Sequence, residues 1–102
     1  MDVQGLADCL KAKENLTILD VREDWETKLC RIEPSLHIPL NELPGRVQEL
    51  SKDVPLVVLC HHGMRSLRAV LWLRSQGFEN VVNLDGGIDS WARQVEPGMG
   101  TY

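Results

Sequence analysis

The chain has 102 residues, 43% apolar and 25% charged, which fits one domain over residues 1–102 with one core and excludes a disordered or fibrous chain. Eleven basic against fifteen acidic side chains leave a net charge of −4, which argues against nucleic acid or an anionic lipid surface as a partner. The longest apolar run, Pro55 to Cys60, is far below the roughly 20 residues that cross a bilayer, and no secretory leader opens the sequence, so we expect a cytoplasmic chain with no membrane partner.

Val3 to Lys13 reads as a brief strand start followed by a helix, with Leu6, Cys9 and Leu10 along one face. Leu16 to Val21 is a buried strand that carries Asp20 near its end. Glu23 to Leu29 suits a helix with Trp25 and Leu29 four apart, and Leu36 to Leu40 is a short extended piece broken by Pro39. Leu43 to Leu50 reads as a helix with Leu43, Val47 and Leu50 on one stripe. Pro55 to Cys60 is the clearest strand, apolar throughout, as expected of a parallel strand covered on both faces. His61 to Ser66 is a loop, and Arg65 or Ser66 opens a helix that runs to about Gln76 and stops at Gly77. Its two apolar stripes, one of Leu67, Val70 and Leu71 and one of Ala69, Trp72 and Leu73, predict a largely buried helix. Val81 to Leu84 is a further strand, Asp85 to Gly87 a turn, and Ile88 to Arg93 a closing helix before an irregular tail. Repeated strand–helix alternation predicts an α/β fold, a mostly parallel sheet with helices on both faces. Ligands bind such sheets beyond the carboxyl ends of the strands, where Cys60 stands.

Cys9, Cys30 and Cys60 are an odd number of thiols without a CxxC pair, as in a reducing compartment where thiols stay free. Cys60 differs from the other two in its setting. It closes a buried strand, and a tight loop leads from it straight into a helix N-terminus. Backbone N–H groups in such a turn converge into an anion cradle, and the helix end adds partial positive charge. A thiolate is favoured there, and the thiolate is the nucleophile. Gly63 supplies backbone freedom to the loop, and Ser66 suits the helix cap. Cys9 is expected in the core. Cys30, beside Arg31 in a loop, is the alternative as a second, resolving thiol.

Arg65 and Arg68 stand in the first helical turn, where the helix dipole disfavours cations. They point to a nearby anion, either a substrate or a structural carboxylate such as Asp20, against the alternative of solvated surface charges. His61 and His62 are neighbours whose side chains are expected to point apart. They are therefore read as a rim that tunes polarity and access, not as metal ligands or as the base of a Cys–His dyad. No Walker loop and no HExxH occurs. Four residues separate Cys60 from Arg65, one fewer than a cysteine phosphatase loop needs, which favours a ring around one added sulfur atom over a ring around phosphate.

Four separated segments resemble the motifs of the rhodanese family of sulfurtransferases. Leu19 to Glu23, followed by Trp25-Glu26, resembles LDVRE. His37-Ile38-Pro39-Leu40 with Glu42-Leu43-Pro44 resembles IPL…ELP. Cys60 to Ser66 resembles the CxxGxRS loop, and Leu84 to Gly87 with Trp91 resembles LxGGxxxW. The resemblance implies a single rhodanese-like domain with a central, mostly parallel five-stranded sheet. It implies that Cys60 is catalytic and carries a persulfide between a thiosulfate or persulfide donor and a cyanide or thiol acceptor, with no cofactor. It further implies that His61, His62, Gly63, Met64, Arg65 and Ser66 surround that sulfur, and that Asp20 and Arg22 support the loop by ion pairing. Arg31 to Leu36 departs from the family's glycine-rich stretch. His61 and His62 stand where thiosulfate-active members often carry Arg or Lys, which turns the expected donor toward a persulfide. The alternatives are a relay or docking module that passes sulfur between proteins, a silent scaffold, and a phosphatase or arsenate reductase.

Overall fold

The computed structural model describes all 102 residues. Four strands, β1 (Thr17–Asp20), β2 (Leu36–His37), β3 (Leu56–Leu59) and β4 (Val81–Asn83), form one parallel sheet in the order β2-β1-β3-β4. The expected fifth strand is not there. The strand start read at Val3, which matches none of these strands, instead opens helix α1 (Val3–Lys11), where Asp2 caps the end by accepting from Gly5 N–H at 2.7 Å. The other helices are α2 (Asp24–Leu29), α3 (Leu43–Arg46), α4 (Met64–Ser75) and α5 (Gly87–Gln94). The segment expected as one helix over Leu43–Leu50 is broken. A single α turn sits between two 3₁₀ turns, Leu40–Glu42 and Val47–Glu49, while Leu43 and Leu50 remain buried.

The alternation of β3 distributes the core. Leu56, Val58 and Cys60 pack on the side of α3 and α4, with Ala69, Val70 and Leu73. Val57 and Leu59 pack on the side of α1 and α5, with Leu6, Ile88 and Trp91. From β1 the chain crosses to β2 on one side, and from β3 to β4 on the other. The direction of winding therefore reverses between β1 and β3. Their carboxyl ends, at Asp20 and Leu59, frame the crevice where open α/β sheets bind ligands.

Two helices turn a different face inward than their sequence stripes predict. On α2, Trp25 and Leu29 are exposed, at 61% and 58%, and Glu26 is the buried residue. On α4, Ala69, Val70 and Leu73 are buried, but Leu67 and Leu71 face outward. α4 ends as expected near Gly77, through paired bonds from Gly77 N–H to Arg74 O and Phe78 N–H to Leu73 O. Cys9 is half-buried and stands outside both core clusters, and the Glu14 carboxylate beside it pushes its thiol's pKa up. No helix is long and apolar enough to cross a membrane. The orientation of α4 sets an expectation. Leu73→Ala should lower unfolding free energy by about 2–5 kcal/mol, and Leu71→Ala by about 0.5 kcal/mol or less, as read by denaturant titration.

Candidate active site

Cys60 follows β3 directly and is buried, at 1% exposure. Its loop turns back tightly enough that Gly63 N–H donates to Cys60 Sγ at 3.1 Å. Gly63, and not Ser66, occupies the cap position of α4, with φ of +105°, a left-handed conformation that glycine adopts without strain. Ser66 lies inside the first turn instead. It is fully buried, and its hydroxyl oxygen sits 3.4 Å from Cys60 Sγ. The N–H groups of His62, Met64, Arg65 and Ser66 have no intramolecular acceptor, as is usual at a helix start. The loop thus brings free donors and the positive end of a helix to one buried thiol.

The carbonyls of the same loop are tied elsewhere. Ile88 N–H donates to Cys60 O at 2.9 Å, and Asp89 N–H donates to His61 O at 3.0 Å. Two orphan donors of α5 thereby hold the back of the loop. This is what Leu84-Asp85-Gly86-Gly87 accomplishes. Gly87 has φ of +62°, and a Cβ there would lie 2.4 Å from Cys60 O and 2.5 Å from His61 O.

A buried charge network flanks the loop. Arg22 is completely enclosed. It donates to Asp20 Oδ1 at 3.0 Å and Oδ2 at 2.7 Å, to the carbonyls of Glu26 and Cys30, and to Tyr102 Oη at 3.1 Å. Arg65 forms a two-pronged pair with Glu26, at 2.6 and 2.7 Å. The structural carboxylate facing Arg65 is therefore Glu26, not Asp20, which is taken by Arg22. Arg65 holds the Glu26 carboxyl far below its ordinary range, at about 2, with help from the Tyr102 hydroxyl, which donates at 2.6 Å. Arg68 is exposed with no ion-pair partner, so it stands as a solvated surface charge.

His61 and His62 do not point apart. Their rings stack with centroids 4.0 Å apart, and the Tyr102 ring stacks on His61 at 3.9 Å. Tight turning of the loop puts both rings on one side. Burial and the neighbouring His62 push the His61 pKa down, so His61 is neutral near pH 7. His61, His62 and Asp89 bring ligand atoms within 4.8 Å of one another. Near-parallel rings aim their lone pairs side by side, and Asp89 is already bonded to Arg93, so the group makes a poor metal cage. Cys30 ends α2 with its sulfur 3.9 Å from Arg22 Nη1. Met64 projects outward at 72% exposure, beside the loop.

Three residues with no role in the sequence reading belong to this neighbourhood: Glu26, Asn83 and Tyr102. Glu26 lay within a recognisable motif, and Asn83 is a polar residue at the carboxyl end of a strand next to β3, which is a usable signal. Tyr102 carries no local signal, because only the folded tail brings it to Glu26.

These features define a rhodanese-like domain: a doubly wound parallel sheet with a cysteine loop at the switch point, closed by a Gly-Gly helix start. The comparisons agree. The rhodanese-like domain family model matches residues 3–94, and the chain belongs to that family. A sulfurtransferase of Allochromatium vinosum is 35% identical over 97 residues, spanning 95% of this chain and 91% of its own. The thiosulfate sulfurtransferase GlpE of Pseudomonas fluorescens is 34% identical over 79 residues, spanning 78% and 72%. The crystal structure of a rhodanese-related protein from Thermoplasma volcanium superposes with a TM-score of 0.85 at 37% identity, spanning 95% of this chain and 93% of that one. The protein is thus a rhodanese-type sulfurtransferase in its general class.

Two measurements test this construction. Gly87→Ala should lower stability by about 2 kcal/mol or more, since strain and a backbone clash coincide, and the thermal midpoint should fall accordingly. The Glu26 carboxyl is depressed on folding, so its stabilisation is complete above its unfolded value and is lost as pH falls from about 4.5 toward about 2. The gap in thermal midpoint between wild type and Glu26→Gln should be full above about pH 5 and shrink steadily below it.

Proposed function

We propose that the protein transfers sulfane sulfur through a persulfide on Cys60. The observation that carries this is the Cys60 sulfur itself, buried at the switch point with Gly63 N–H directed onto it and its loop carbonyls turned away into α5. The Cys60 thiolate attacks the outer sulfur of the donor. A new S–S bond forms at Cys60, the donor's S–S bond breaks, and its electron pair leaves with the donor remnant, a thiolate from a persulfide or sulfite from thiosulfate. An acceptor nucleophile then attacks the outer sulfur and returns Cys60 as thiolate. The backbone of His61, His62, Gly63, Met64, Arg65 and Ser66 surrounds that sulfur, with Gly63 N–H and the Ser66 hydroxyl nearest to it, and the Asp20–Arg22 pair acts on the loop through Tyr102 and Glu26, which holds Arg65. No step requires a metal or cofactor.

The donor class follows from charge. Thiosulfate is a dianion, and the guanidinium nearest the loop, Arg65, is already committed to Glu26. His61 is neutral, so the loop offers a dianion little beyond backbone donors. We therefore favour a persulfide donor over thiosulfate, although GlpE, a relative by sequence, is named for thiosulfate. A protein as donor or acceptor is favoured by exposed Met64 and Trp25 beside the site. In that second form Cys60 relays sulfur between proteins without turnover on small molecules.

Intact-protein mass spectrometry tests the assignment. Incubation with a low-molecular-weight persulfide should add one sulfur atom, removable by cyanide and absent in Cys60→Ser, with slower loading from thiosulfate. Loading that persists in Cys60→Ser would move the chemistry to Cys30 or Cys9. No loading from either donor would leave a scaffold or a partner-specific relay.

A further inference from the structure

Asn83 ends β4 beside the loop, and its amide touches two loop groups at once. Nδ2 donates to the Gly63 carbonyl at 3.1 Å, and Oδ1 accepts from the Ser66 hydroxyl at 2.5 Å. The Gly63 bond sets the orientation of the amide, because turning it over would place Oδ1 against another carbonyl oxygen. The Ser66 oxygen that faces Asn83 also faces Cys60 Sγ, at 3.4 Å.

A hydroxyl has one proton and cannot donate to both neighbours. While Cys60 is a thiol, the single Ser66 proton goes to the closer partner, Asn83 Oδ1 at 2.5 Å, and not to Cys60 Sγ at 3.4 Å. Once the sulfur is anionic it has no proton to give and gains from every donor it can recruit. Gly63 N–H supplies one. Ser66 supplies a second only by swinging its proton from Asn83 to the sulfur. That swing leaves Asn83 Oδ1 and Ser66 Oγ as two facing lone pairs, which opposes it.

We propose that Asn83 is a positioning residue, holding the Ser66 proton away from Cys60 in the resting thiol and so setting how readily the sulfur becomes a nucleophile. As a control on sulfur transfer, this rests on the assignment of Cys60 above. The alternative is that Asn83 only ties down the Gly63 carbonyl. Leu and Asp at position 83 both lose the Nδ2 donor to Gly63 but only Asp keeps an acceptor for Ser66; because the Asp charge also opposes the thiolate directly, it is the Ser66→Ala background that separates the two.

The experiment follows alkylation of Cys60 by iodoacetamide at a single pH, resolved by peptide mass spectrometry with Cys9 and Cys30 as internal references. Asn83→Leu should alkylate about fivefold faster than wild type, and Asn83→Asp about fivefold slower. In a Ser66→Ala background, Asn83→Leu should change the rate by less than about twofold, because the proton it releases no longer exists. Shifts of the same sign in Leu and Asp, or an Asn83→Leu effect that survives in Ser66→Ala, would overturn the proposal and leave a tether. If thermal unfolding shows Asn83→Leu to be unfolded, Asn83→Ala takes its place with the same expected sign. Sulfur loading is measured on the same variants. Failure to load with the alkylation pattern intact removes the persulfide assignment and keeps the hydroxyl control, and the reverse outcome removes only the latter.

Discussion

A loop that turns its N–H groups toward a sulfur must turn its carbonyls somewhere else. Here Ile88 and Asp89 receive the carbonyls of Cys60 and His61, so the start of α5 is the back wall of the site. A buried carbonyl left without a donor costs about 1–3 kcal/mol, so the loop geometry and the α5 docking stand or fall together. That docking in turn requires the close approach that only Gly87 permits. The sequence separation of Cys60 and Gly87 is thus bridged by one constraint. Gly63 completes the arrangement from inside, since its left-handed turn both starts α4 and places an N–H on the sulfur.

The charges around the loop are organised to keep it rigid rather than to attract a ligand. Arg22 is enclosed completely, and burying a guanidinium is unfavourable unless its donors are met. Asp20, two backbone carbonyls and Tyr102 meet them. Arg65 is likewise held by Glu26, which also caps its own helix by accepting from Glu23 N–H at 3.0 Å. One carboxylate therefore fixes the start of α2, the first turn of α4 and the Tyr102 hydroxyl. Burial and hydrogen bonding to Glu26 push that hydroxyl's pKa up to about 12, so it remains a neutral donor. The donors that face the sulfur are backbone N–H groups and the helix end, which cannot be withdrawn as a mobile side chain can.

What could be read in advance follows from which signals are local. β3 and its exit into α4 are legible because an unbroken apolar run, a glycine and a helix start are neighbours in sequence. The placement of Cys60 needs nothing else. The buried faces of α2 and α4 are not legible, because a stripe of Leu67, Leu71, Trp25 and Leu29 shows that a face is apolar without showing that anything covers it. Ser66 looks like a cap because its residue type is right. Gly63, one turn earlier, takes the position because the chain must reverse within three residues of Cys60. Adjacency alone predicts that His61 and His62 point apart, even in a tight loop, whereas this turn stacks their rings. The fifth strand fails for a simpler reason: Asp2 caps a helix whose apolar face, Val3, Leu6 and Ala7, is better buried by α5 than by a sheet edge.

The contrast between the two sides of the site bears on how it works. Behind the sulfur the loop carbonyls are held by α5 and Glu26 holds Arg65, while Met64 and Trp25 beside it are apolar and open to solvent. Buried ion pairs such as Arg22–Asp20 are weak evidence for stability, since apolar replacements of the same shape often do as well. Their value lies in geometry, because an arginine with five directed donors fixes the distance between β1, α2 and the tail in a way that leucines cannot. On the role proposed for Cys60, a nucleophile aimed by Gly63 N–H at 3.1 Å gains from such stiffness, as a small displacement of the sulfur would break that bond. The apolar front has no such requirement. With Cys60 in its proposed role, that front can meet donors and acceptors of different shape, because no hydrogen bond fixes the Met64 or Trp25 side chain as Glu26 fixes Arg65.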